Sequence, residues 1–253
     1  MTAVSISLFR FPGLAGRLWA VSQMALARRP LSRLPGIGFF KLCGTGTGEG
    51  FTPRPNTAVW AILATWPDEA HARRMIADAP VYRRFRARAG EHCSFLLGPL
   101  SARGRWSGRA PFEPPARKPA ADGPLAVLTR ATIRPRAALG FWGRVPDIEA
   151  AIGADPNVAF KIGRGEVPWV RQVTFSVRPD RDSMVAFAHR DGPHARAVRA
   201  VREGDWFSEE LYARFAVLGT LGQWEGRAPL SALAEPAGAA AGRDERAEEA
   251  HPA

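Results

Sequence analysis

The chain has 253 residues, 46% hydrophobic and 23% charged, with a formal net charge of +11. That length holds one large core or two small ones, and the balance is that of an ordinary globular protein. Two cysteines, Cys43 and Cys93, exclude a disulfide framework. Arg10 and Arg17 interrupt the apolar N-terminal stretch, which argues against a signal peptide. No apolar run approaches the ~18 residues that a membrane-spanning helix needs, so a cytoplasmic protein is expected.

The positive charge is scattered over Arg28 and Arg29, Arg73 and Arg74, Arg83 to Arg88, and Arg196 to Arg202. Nucleic-acid binding would call for a basic stripe with a reading motif, and neither occurs. The same field would attract an anionic membrane surface or an acidic protein, and a solvated arginine-rich surface explains it equally well.

Taken in order, the elements repeat. A strand over Val4 to Phe11 leads to a helix containing Leu18-Trp19. Phe40-Lys41-Leu42 then runs into a Gly48-Glu49 loop, and Ala58 to Trp66 forms a further strand. Pro67-Asp68 marks a helix start with aspartate as N-cap, and a second short helix opens near Pro80. The half closes on a strand at Phe95 to Gly98, followed by Trp106-Ser107-Gly108.

Ser107 to Gly123 is proline-rich and aperiodic, and it reads as a linker. Beyond it come Leu125 to Ile133, a helix opened by Pro135 with Phe141-Trp142, and Phe160-Lys161-Ile162 running into a Gly165-Glu166 loop. Val170 to Arg178, Pro179-Asp180, a helix after Pro193, Ala216 to Gly219 and Trp224-Glu225-Gly226 complete the second series. Leu230 to Ala253, rich in Ala, Glu and Arg, is expected to be disordered.

The order is β-α-β-β-α-β twice, the ferredoxin-like arrangement. The expected fold is therefore α+β, with two ferredoxin-like halves closing into a pseudo-twofold barrel with helices outside. The expected boundaries are 1–106 for the first half, 107–123 for the linker, 124–229 for the second half and 230–253 for the tail.

Several chemistries are absent from the sequence. Gly44 to Gly50 is glycine-rich, but Phe51-Thr52-Pro53-Arg54-Pro55 follows where a nucleotide-binding turn would open a helix. A flexible loop between strands is the expectation. There is no C-x-x-C, H-E-x-x-H or G-x-S-x-G. His189 and His194 are separated by Asp191-Gly192-Pro193, so one helix face cannot present both to iron.

Of the five histidines, His71 lies in a charged helix start and reads as solvated, and His251 is in the tail. His92 reads as a strand-end imidazole, and His189 as a helix-end partner of the dipole. His194 differs. With Val198 and Val201 it forms one face of an amphipathic helix, aimed at the interior, while Arg196, Arg199 and Arg202 point outward or sideways. On the residues alone, a buried or capping imidazole and a metal ligand both remain open. The first-half counterpart, Val81-Tyr82-Arg83, has no histidine.

The segments Phe39 to Leu42, Gly46 to Pro53, Asn56 to Leu63, Ser101 to Trp106, Leu128 to Arg134, Gly165 to Trp169 and Trp206 to Phe215 resemble the spheroidene monooxygenase family of purple bacteria. The likeness runs from about Ser5 to Gly226. It implies two successive oxygenations at C-2 of spheroidene, hydroxylation and then oxidation to the ketone. It also implies haem iron, dioxygen and electrons from reduced ferredoxin. Within that frame His194 is inferred to be the axial ligand, with Arg199 and Arg202 as partners of the haem propionates. A thiolate from Cys43 or Cys93 is the chemical rival, although both read as small buried hydrophobes.

An acyclic carotenoid substrate calls for an apolar groove lined by aromatics. Trp60, Trp142, Trp169 and Trp206 are candidates among eight Trp and fourteen Phe. Delivery from a photosynthetic membrane suits peripheral attachment to its cytoplasmic face, and the basic charge suits both lipid and an acidic ferredoxin. Three alternatives stay open: a haem barrel turning over peroxide or chlorite, a non-catalytic carotenoid or haem carrier, and an oxygenase without cofactor.

Overall fold

The computed structural model describes residues 2–46, 55–116, 123–138, 140, 160–167, 170–180 and 206–231. Its strands are β1 (Ala3–Arg10), β2 (Phe40–Gly46), β3 (Pro55–Trp66), β4 (Glu91–Gly104), β5 (Leu125–Ile133), β6 (Phe160–Val167), β7 (Arg171–Arg178) and β8 (Phe207–Gly222). Among the described residues four α-helices have given bounds, α1 (Leu14–Leu26), α2 (Arg28–Ser32), α3 (Glu69–Asp78) and α4 (Pro80–Arg88), and these four belong to the first half.

Alternation sets the two faces of each strand. Val4, Ile6 and Leu8 of β1 turn into one apolar core, while Phe9 turns into a second. The first core is the barrel interior, completed by Phe95, Leu97, Leu128, Phe160, Val173, Phe175, Val177 and Phe215. The second lies between the outward sheet face and the helices, where Ile62, Ala64, Trp66 and Leu96 meet Ala72, Ile76, Tyr82 and Phe85. Both faces of β1 are buried almost throughout, and its polar residues inside the fold, Ser5 and Ser7, are small.

All neighbouring strands are antiparallel, and the sheet closes in the order β1-β3-β2-β6-β7-β5-β8-β4. The first half thus runs β4-β1-β3-β2 and the second β8-β5-β7-β6, the same order in each. Closure removes the exposed edges that either half would show alone. One seam is long, from Cys93↔Gly222 to Gly104↔Leu211. The other is short, pairing Gly44 with Gly165 and Thr45 with Arg164.

Local signals account for the helices. Asp68 caps α3 by accepting the His71 amide at 2.7 Å, and Pro80 occupies the first turn of α4, where its missing N–H costs nothing. In the second half a 3-10 turn at Pro135–Ala137 begins the expected helix, and residues 141–159 and 181–205 lie outside those described.

Some expectations need correcting. Gly44 to Gly46, expected in a flexible loop, continue β2 through a bulge and form the short seam. Gly165-Glu166, also expected in a loop, belong to β6, which bulges between Gly165 and Val167. Glycines suit these places because a bulge at a barrel junction leaves little room for side chains. The proline-rich join is more than a spacer: Phe112 is buried and meets the Phe215 ring at 5.1 Å. Leu230, expected in the tail, packs on the barrel core.

Each half ends in the same turn. Trp106 and Arg109 exchange backbone hydrogen bonds of 2.8 and 3.3 Å, and Trp224 and Arg227 do so at 2.8 and 3.2 Å. Ser107 and Gly108, like Glu225 and Gly226, have positive φ, the geometry of a tight two-residue hairpin. Glu209 of the second half accepts the amides of Ser107 and Gly108 at 3.0 and 2.7 Å. Glu91 of the first half accepts the Gly226 amide at 2.9 Å. Each carboxylate also meets an arginine of its own half, Arg130 for Glu209 and Arg10, at 3.5 Å, for Glu91. The turns are therefore latched crosswise.

Candidate functional site

A long apolar ligand needs a continuous space, and the barrel interior is filled with rings. Phe95 meets Phe160 and Phe175 at 4.8 and 5.3 Å, and Phe39 meets Trp106 at 5.6 Å. The outward face of the first half is filled too, with Phe9 and Trp19 both 5.1 Å from Phe85.

The outward face of the second half has different chemistry. Strand registers align Trp66 with Arg178, each before Pro-Asp, because Ala3↔Trp66 corresponds to Leu125↔Arg178. By the same registers Ala64 corresponds to Ser176, Ile62 to Thr174 and Leu96 to Arg214. Leu42, opposite Ile62, corresponds to Gly163, opposite Thr174. Large apolar side chains under helices are thus replaced by hydroxyls, a glycine and two arginines. Thr174 and Ser176 are half-buried, and Arg178 is only 4% exposed. A buried cation on a sheet face of small side chains suits a ligand with an anionic edge and a broad apolar body.

No family model matches the chain. Among individual proteins, it is 53% identical over 232 residues to the spheroidene monooxygenase of Rhodobacter capsulatus, covering 91% of this chain and 96% of that protein. Its identity to the spheroidene monooxygenase of Cereibacter sphaeroides is 51%, covering 91% of this chain and 71% of that protein. The chain belongs to the spheroidene monooxygenase family. The spheroidene monooxygenase of Rubrivivax gelatinosus is 37% identical over 214 residues, covering 84% of this chain and 81% of that protein. Membership puts the chemistry of the chain among the oxygenases.

Among solved structures, an aldoxime dehydratase in complex with butyraldoxime aligns with a TM-score of 0.60 at 8% identity, covering 85% of this chain and 79% of that one. Another aldoxime dehydratase aligns at 0.57 and 10% identity, covering 85% and 81%. These likenesses concern the fold alone.

The residues singled out from the sequence divide clearly. His194, Arg199 and Arg202 lie outside the described residues, as do His189, His251, Trp142 and Trp169. His71, expected to be solvated, is half-buried, and its Nε2 lies 2.7 Å from the Pro35 carbonyl in an exposed contact. His92 stacks on Phe9 at 6.4 Å, and desolvation, then the nearby Arg86 charge, hold its imidazole below the usual histidine value. Both belong to the first half. Cys43 and Cys93 are buried in the barrel interior, in keeping with small hydrophobes.

Trp60 donates its Nε1 hydrogen to the Thr57 carbonyl at 2.8 Å, and Trp206 packs beside Ile133 and Ala137. Among the described residues no three His, Cys, Asp or Glu side chains gather into a metal-binding group. A haem asks less of the protein, one axial side chain and cations at its acidic edge. The described face fits the second requirement through Arg178. Reasoning from sequence missed Arg178, although its signal was there: an arginine stands where the matching strand carries Trp66.

Proposed function

We propose that the chain is a carotenoid monooxygenase that oxidises C-2 of spheroidene and related acyclic carotenoids. Two successive hydroxylations at one carbon give a geminal diol, which loses water to form the 2-ketone. Each takes one O2, two electrons and two protons and releases one water, with reduced ferredoxin as the electron source. The observation that carries this reading is the 53% identity to a spheroidene monooxygenase across 91% of the chain.

Haem, when bound, would supply the dioxygen-activating iron that ordinary side chains lack. His194 would hold its iron, and Arg199, Arg202 and the buried Arg178 would pair with its propionates through charge-assisted hydrogen bonds. Thr174 and Ser176 are small side chains on the outward face, against which an apolar chain would lie, and the rings packed in the barrel interior argue for a site outside it. The matched strand order supports an origin of both halves in one duplicated unit. Such a substrate dissolves in lipid, so the reading includes peripheral attachment to a membrane; among the described residues no helix is long and apolar enough to cross one.

The test combines spectrum and product. Purified protein should show a Soret band that is lost in His194→Ala and retained in His92→Ala. With spheroidene, reduced ferredoxin and 18O2, the 2-hydroxy product should carry the label. A chain that shows no Soret band and consumes no oxygen with reductant and spheroidene sinks the reading.

A further inference from the structure

The longest helix among the described residues exposes its apolar side. Leu14, Leu18, Val21 and Ala25 fall at i, i+4, i+7 and i+11 of α1, which is one face. Leu14, Leu18 and Val21 are 72, 63 and 47% exposed, and Leu26, on the flank of that face, is 65% exposed. The opposite side is already used, with Ala20 and Gln23 buried and Trp19 packed on Phe11 at 5.7 Å. The exposed leucines are therefore surplus to the core. Contiguous apolar surface of this kind marks a contact site.

The charge around the patch selects the occupant. Neither α1, α2 nor α4 contains an acidic residue. No Asp or Glu precedes Glu49 in the chain, whereas Arg10, Arg17, Arg28, Arg29, Arg33 and Lys41 do. Arg28, Arg29 and Arg33 are exposed just beyond the C-terminal end of α1, and Arg88 lies 4.9 Å from the centre of the Trp19 ring. An apolar stripe rimmed by cations alone matches the acyl-headgroup boundary of an anionic bilayer. A protein partner with an apolar face would need acidic residues to match that rim, and this chain offers itself none on these helices.

We infer that α1 is a membrane-docking helix, which seats its leucines among the acyl chains of an anionic bilayer and its arginines among the phosphates. The inference rests on the reading of a lipid-borne substrate and supplies its route of delivery. Its test involves no turnover, so docking and oxygenation can fail separately.

The experiment is flotation of the full chain with vesicles of phosphatidylglycerol and phosphatidylcholine, without carotenoid. Wild type should float with anionic vesicles, less at high salt and less with pure phosphatidylcholine. Leu14→Glu with Leu18→Glu should lower partitioning at least about tenfold, the effect of withdrawing two large apolar side chains. Arg28→Gln with Arg29→Gln should lower it about fivefold per charge on anionic vesicles, with little change on neutral ones. All these positions are exposed, so melting temperatures should match wild type; Leu18→Ser provides a milder variant if the double change perturbs folding. Wild type that stays unbound, or a double-glutamate variant that floats unchanged, overturns the inference. A dimer that dissociates on Leu18→Ser while flotation is unaffected overturns it in favour of a second copy on this face.

Discussion

The Glu209 carboxylate accepts the Gly108 amide at 2.7 Å across the long seam, joining the second half to the terminal turn of the first. It also accepts the Ser107 amide at 3.0 Å and pairs with Arg130, whose side chain is 1% exposed. Glu91 repeats the arrangement on Gly226 with the more exposed Arg10. The long seam between β4 and β8 is thus fastened by a crossed carboxylate at each turn, so that neither half finishes its fold without the other.

Removing Glu209 takes an ion-pair partner from a buried guanidinium and the acceptor from two turn amides. Glu209→Ala should therefore cost about 2–4 kcal/mol, since breaking a buried pair is dearer than never forming one. Glu91→Ala should cost less, because Arg10 keeps contact with solvent and with Glu225 at 3.1 Å. Urea denaturation of the two variants checks the ranking, and equal losses would show that burial of Arg130 is not what matters.

Two glycines guard the same seam. Gly104 has φ 97° and Gly222 φ 79°, and a Cβ at either would collide with the carbonyl of the opposing strand, that of Glu210 or His92. Both contacts are with backbone, so no side-chain rotation relieves them. Gly104→Ala and Gly222→Ala should each destabilise by at least about 2 kcal/mol, combining left-handed strain with the clash. Gly108→Ala, where nothing lies within 4 Å of the added carbon, should cost only the backbone term. Thermal melts of the three variants separate the contributions.

Much of this was legible in the sequence, and for physical reasons. Paired markers such as Trp106-Ser107-Gly108 with Trp224-Glu225-Gly226 are local devices that keep their meaning wherever the chain goes, and Pro67-Asp68 does start α3, while the helix expected after Pro179-Asp180 lies outside the described residues. Strand extent was not legible. Beyond Phe95 to Gly98, β4 runs on through Pro99 to Gly104 because β8 supplies a partner for the far end, and pairing at distance leaves no mark on the strand itself. Phe112 was hidden similarly, since a lone aromatic among prolines has no periodicity until Phe215 receives it. The outward face of the second half was half-legible: its hydroxyls read as ordinary strand polarity until the registers set Thr174 against Ile62.

Acid should act on the fold in two steps. Desolvation and the Arg86 charge hold His92 below the ordinary histidine value, so the fold favours the neutral ring. The unfolded chain then takes up that proton first, and stability begins to fall as pH drops through the ordinary histidine range. Desolvation works against the Glu209 carboxylate, but the Gly108 and Ser107 amides and Arg130 outweigh it and hold its value low. Its contribution is present above the ordinary glutamate value and is lost as pH falls through the lowered one. Denaturation midpoints followed across the acid range should show both steps, His92→Gln erasing the upper and Glu209→Gln the lower. A single step surviving both changes would assign acid sensitivity to other groups.

The two outward faces should respond oppositely to one exchange. Ile62 is fully buried beneath the first-half helices, so Ile62→Thr places a hydroxyl in an apolar contact and removes a methylene. A loss of about 1–3 kcal/mol is expected, with turnover of the surviving folded protein unchanged. Thr174 occupies the matching position on the second face and is half-buried. Thr174→Ile adds bulk where the proposed ligand lies, so stability should hold while haem content or KM for the carotenoid worsens at least about tenfold, as misplacing a bound reactant by an ångström does. Measuring melting temperature, haem absorbance and KM on both variants separates a packing position from a binding one. If Thr174→Ile destabilises the fold and spares binding, the second face is core like the first, and the ligand must be sought elsewhere on the barrel.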